Sequence, residues 1–145
     1  GLQIMSDEGA YMFPSYQGKW IPDTPARRQT VMNRLASWTP FSKSSPVEGI
    51  ERAIRAYYAE DKKISLYVFG DDFTGGSVAR VLSDVARINR ERRNGGRLVR
   101  IHAIGFPVHF LAPGGNRQTA GRFSHLMREL SLANGGTFVG LNGLD

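Results

Sequence analysis

The chain has no cysteine among its 145 residues, which excludes disulfides, thiolate metal sites and a cysteine nucleophile. No apolar run approaches the roughly 20 residues that a membrane-crossing helix needs. The opening Leu2-Gln-Ile-Met5 lacks the basic segment and long apolar stretch of a signal peptide, and the expected setting is cytoplasmic. Acidic residues are scarce beside basic ones, 13 against 19, which leaves a formal net charge of +6. There is no Walker-type glycine-lysine loop for phosphates, and no serine stands in a recognisable nucleophile motif. The histidines His102, His109 and His125 offer no recognised zinc spacing.

What is present suits one globular domain spanning residues 1–145, with 41% hydrophobic residues and no internal repeat or linker. Leu2 to Ser6 and Ala10 to Phe13 read as short strands around the turn Asp7-Glu-Gly9, and together predict a hairpin. Asp23 or Thr24 can cap a helix with Pro25 in its first turn and Val31, Leu35 and Trp38 on one face. Ser44-Ser45-Pro46 signals the next helix, whose apolar face holds Val47, Ile50, Ala53, Ile54 and Tyr57. Ser77 opens a third, with Val78, Val81, Leu82, Val85 and Ile88 at helical spacing. Leu98 to Ile104 reads as a strand, and Gly105 to Arg117 as a long connection. Phe123, Leu126, Met127 and Leu130 mark the last helix, which Asn134-Gly-Gly136 ends before a strand over Thr137 to Leu141.

The most informative stretch is Ile64-Ser-Leu-Tyr-Val-Phe-Gly-Asp-Asp-Phe-Thr-Gly-Gly-Ser77. A nearly continuous apolar run is expected where both faces of a parallel sheet are covered. It stops at two carboxylates and a glycine-rich turn, so Asp71 and Asp72 stand at the carboxyl end of a buried strand, where open α/β sheets bind ligands. The alternation of strands and helices predicts a Rossmann-like, three-layer α/β/α fold. Its sheet is expected to be mostly parallel, with an antiparallel edge from the leading hairpin.

Four segments in order resemble the later part of a von Willebrand factor type A domain. They are Ser44-Ser45 before a helix, Tyr67-Val-Phe-Gly-Asp-Asp72, Ile101-His-Ala-Ile-Gly105, and Leu126-Met-Arg-Glu-Leu-Ser-Leu-Ala-Asn-Gly-Gly-Thr-Phe-Val139. The resemblance implies a non-enzymatic protein-interaction module with a metal-ion-dependent adhesion site. It assigns Asp71 and Ser44 as ligands of Mg2+, with Ser45 the competing assignment. A hydroxyl and an aspartate suit an ion that favours oxygen and retains waters. Turn and helix-cap chemistry is the plain alternative for Asp71-Asp72 and needs no metal.

The family's Asp-x-Ser-x-Ser motif has no counterpart, because Gly9 and Tyr11 occupy its serine positions after Asp7. Leu2 to Phe13 is therefore read as the family's second and third strands, with the first strand and helix expected upstream of Gly1. The expected consequence is that Leu2 to Ser6 pairs directly with Ile64 to Phe69, or that another chain or segment fills the gap, as in a dimer or strand exchange. Asp72, Phe73, Phe106 and Phe110 are the candidate partner contacts, from the Asp72 to Ser77 turn and the Gly105 to Arg117 loop.

Two other readings come from the residues. Seven arginines between Arg80 and Arg100 face only Asp84 and Glu91, which allows anion or nucleic-acid binding, although a solvated helix face is the plainer account. The turn Asp71-Asp-Phe-Thr-Gly75 also resembles a segment of four-carbon acid sugar kinases, but that match ends with the turn.

Overall fold

The computed structural model describes residues 1–43, 45–93 and 95–143. Helix α1, Pro25–Leu35, starts as its sequence dictates: the Thr24 side chain accepts from the Arg27 amide, and Pro25 occupies the first turn. Val31 is its one buried residue, while Leu35 stays exposed. Helix α2, Val47–Tyr57, buries Ile50, Ile54 and Tyr57 along one stripe. No serine caps it. Pro46 stands at its N-cap without a side-chain bond, and the Gly49 amide donates instead to the Asp7 carbonyl at 2.7 Å.

Strand β1, Ser65–Gly70, leads through α3, Val78–Ile88, into β2, Arg100–Gly105. The short α4, Val108–Leu111, and the long α5, Arg117–Ala133, then lead to β3, Phe138–Gly140. Ser77 caps α3 by accepting from the Arg80 amide, and Gly135 takes the left-handed conformation (φ 69°) that ends α5. The three strands form one parallel sheet in the order β1-β2-β3, with Ser65 opposite Arg100 and Ala103 opposite Phe138. Parallel neighbours need long crossovers, and α3 and α5 supply them.

The α/β class with a parallel sheet is therefore as expected, but only one sheet face is covered. Leu66, Val68, Ile101, Ala103 and Phe138 pack with Ile50 and Ile54 of α2, Val81 and Val85 of α3, and Phe123, Leu126, Met127 and Leu130 of α5. On the opposite face Tyr67, Phe69 and Val139 are 55%, 61% and 49% exposed. The second helical layer of a three-layer fold is not found among the described residues.

The antiparallel edge is likewise not found there. Leu2 to Ser6 and Ala10 to Phe13 do pair antiparallel at a short bridge between Met5 and Tyr11, with the Ser6 and Met12 amides donating to the Ala10 and Ile4 carbonyls, but this hairpin stays off the sheet, and Leu2 bridges to Ile21. Helix α2 holds this hairpin. Arg52 donates to the Gly9 carbonyl, Gln3 donates to the Tyr57 hydroxyl, and Met12, Ile21 and Val31 bury themselves apart from the main core. Leu2 to Ser6 consequently does not pair with β1, whose outer edge has no partner strand among the described residues.

Candidate metal centre

Gly70 ends β1 where α5 crosses it closely: a Cβ there would stand 2.8 Å from the Phe123 ring. Asp71 and Asp72 follow, delivered to the carboxyl end of the sheet. The next residues are anchored from two directions. The Phe73 amide donates to the Thr119 carbonyl at 3.2 Å, and Arg122 of α5 lies over the Phe73 ring while donating to the carbonyls of Gly75 and Gly76. Thr74 donates its hydroxyl to the Lys43 carbonyl at 3.2 Å, which ties the turn to the loop preceding α2.

His109 of α4 completes the cluster. Its Nε2 lies 3.7 Å from an Asp71 carboxylate oxygen and 3.6 Å from one of Asp72. One ligand atom from each of the three half-buried residues falls within 4.8 Å of the others. These separations are too long for direct hydrogen bonds but compatible with a shared ion or bridging water. The imidazole is oriented from behind. Asn116 caps α5 by accepting from the Gln118 and Thr119 amides, and its own backbone N–H donates to His109 Nδ1 at 3.3 Å.

That contact has a chemical consequence. A neutral imidazole whose Nδ1 accepts must carry its proton on Nε2, the nitrogen facing the carboxylates. His109 is thus set as a donor toward Asp71 and Asp72. A metal on Nε2 would require the proton to move to Nδ1 and the Asn116 contact to break. The two aspartates are free of that conflict, so the donor set fits an oxygen-seeking ion such as Mg2+ better than a zinc-type ion.

Of the residues expected from sequence, Asp71 and Asp72 are brought together here, and Ser44 lies outside the described residues. Ser45 has its amide committed to Asp7 Oδ2 at 3.2 Å, which also accepts from the Ser42 hydroxyl and the Lys43 amide. Asp7 therefore organises the loop before α2, and its other oxygen, Oδ1, is buried without a hydrogen-bond partner among the described residues. Phe73 was expected to be a partner anchor and is instead completely buried, its ring enclosed under Arg122. Phe106 is half-buried and stacked against Phe69 at 6.4 Å, and Phe110 is 45% exposed.

No known protein family, curated protein or solved structure matches this chain. The functional reading rests on the geometry.

Within the arginine-rich run, Arg92 donates to the carbonyls of Lys62 and Leu98, and Arg97 to those of Ala133 and Asn89. Arg80 and Arg87 flank Asp84 at 3.9 and 3.8 Å. Arg92 and Arg97 thus tie the fold together. Sequence reasoning missed His109 because no local motif connects it to Asp71. The one available signal was Asn116 before an apolar-periodic helix, which marks a cap and hence a sharp return of the preceding loop.

Proposed function

We propose that this domain is a non-enzymatic protein-interaction module, similar in kind to a von Willebrand factor type A domain, with a divalent-cation site at Asp71 and Asp72. The observation that supports it is the convergence of Asp71, Asp72 and His109 at the carboxyl end of a parallel sheet. Two adjacent carboxylates attract a hard cation, and Mg2+ fills its remaining positions with water. When bound, the ion would supply an open coordination position for a carboxylate of a partner protein. His109, with its Nε2 proton turned to the aspartates, is at the distance of a water-bridged contact to both when the ion is absent. Phe110, exposed on α4 beside His109, is the apolar contact next to the site.

The test is a titration of the protein with MgCl2, followed by amide NMR. Mg2+ should shift the amides of Gly70 to Phe73 and of His109 to Asn116, and Asp71→Asn should abolish the shifts while leaving the remaining spectrum intact. A spectrum that ignores millimolar Mg2+, or responds equally in the variant, rules the cation site out.

A further inference from the structure

Strand β1 is composed like an interior strand but lies at an edge. Ser65 to Gly70 contains no charge, no proline and no lysine, the devices that normally keep edge strands from pairing. The carbonyls of Ile64 and Gly70 accept from Arg100 and Phe106. By the two-residue alternation of a strand, even-numbered residues therefore bond to β2, and Ser65, Tyr67 and Phe69 direct their N–H and C=O groups outward. No strand meets them among the described residues.

Charges bracket this edge with a polarity. Lys62 and Lys63, both exposed, precede β1, and Asp71 and Asp72 follow it. A second copy added in parallel would set lysine beside lysine and aspartate beside aspartate. Antiparallel addition about a two-fold axis does the reverse. With Tyr67 opposite Tyr67 of the second copy, Ser65 lies opposite Phe69, so every outward residue exchanges backbone hydrogen bonds. The same register sets Lys63 opposite Asp71 and Lys62 opposite Asp72. The two-fold also keeps each residue on its own face of the sheet, as directly opposed residues require.

We infer that the chain forms a two-fold dimer through antiparallel pairing of β1 with β1 of a second copy. The dimer doubles the three-stranded sheet, places α2, α3 and α5 of both copies on one face, and joins the two exposed aromatic faces into a continuous surface. It also brings Lys63 of the second copy to the Asp71 carboxylate. The inference stands on the edge and its charges and is independent of the cation.

Sedimentation equilibrium in EDTA tests it without any metal. Wild-type protein should show a monomer–dimer equilibrium at low ionic strength. Lys63→Asp and Asp71→Lys alone should each weaken the dimer roughly tenfold, because opposite charges become like charges in two symmetry-related pairs. The double variant Lys63→Asp with Asp71→Lys should restore it. Tyr67→Pro removes an outward N–H without touching the β1–β2 ladder, and should give a folded monomer with an unchanged circular dichroism spectrum. A wild-type chain that stays monomeric up to roughly millimolar concentration overturns the inference. So does a dimer that survives Tyr67→Pro, or a double variant no tighter than the single ones.

Discussion

Leu66 and Val68 turn one way from β1 and pack beneath the helices, whereas Tyr67 and Phe69 turn the other way and remain in solvent. The same holds across the sheet: Ile101 and Ala103 are fully enclosed, and Val139 is half exposed. Both faces are therefore apolar, and chain topology determines which one is covered. Stability is concentrated where α5 lies on the strands. The bare face, with Tyr67 stacked on His102 at 4.9 Å and Phe69 on Phe106, retains apolar surface of the kind that marks association.

The sharpest way to break this comparison is to truncate one residue on each face. Leu126 is completely buried between α5 and the sheet, and Leu126→Ala should cost about 3–5 kcal/mol through lost burial and the cavity left behind. Tyr67→Ala, measured in protein dilute enough to be monomeric, should change stability by less than about 0.5 kcal/mol. Urea melts of both variants read the difference directly. Equal losses would mean that the exposed face is covered in solution.

A polar anchor on the covered side gives the next largest effect. Asn89 at the end of α3 is fully buried, and its amide donates to the Val99 carbonyl and to Asn134 Oδ1, both at 2.8 Å. Its oxygen accepts from the Val99 amide at 2.9 Å. One side chain thus joins α3, the entry to β2 and the end of α5. Asn89→Ala leaves buried partners unsatisfied and should cost about 2–4 kcal/mol in the same melts. A loss below that of an ordinary surface substitution would show that water replaces the network.

The parts of the fold that were readable in the sequence depend on local chemistry. Thr24 and Ser77 cap helices because their hydroxyls reach amides three residues on, and Phe123, Leu126, Met127 and Leu130 all enter the core at helical spacing. The Ile64 to Phe69 run was legible as a parallel strand, and Asp71 as its carboxyl end. What failed depends on distant partners. Leu2 to Phe13 does turn back on itself, the Ser6 and Met12 amides donating to the Ala10 and Ile4 carbonyls, but its remaining polar groups find partners on α2, at Gly49, Arg52 and Tyr57, rather than on the sheet. Phe73 follows two carboxylates in a turn, and only the later arrival of Arg122 and Thr119 explains its burial. His109 reaches the aspartates through the return of the chain at Asn116, a tertiary event with no spacing to announce it.

The smallest predicted effect separates this captured N-terminal segment from both sheet faces. Tyr57 lies between α2 and that segment, with Trp20 at 4.7 Å, Tyr11 at 6.5 Å and the Gln3 amide donating to its hydroxyl at 3.1 Å. Burial first, and then the neighbouring Tyr11 hydroxyl, push the Tyr57 phenol up from 10.0 to about 12. Because the fold retains a proton that the unfolded chain releases, this stabilisation is complete below pH 10 and disappears as pH rises to about 12. Stability measured across that window should fall for wild type and fall less for Tyr57→Phe, which has no phenol to ionise. Parallel curves for the two proteins would mean that the N-terminal segment has already released Tyr57 to water, and that α2 holds it less firmly than it holds the core.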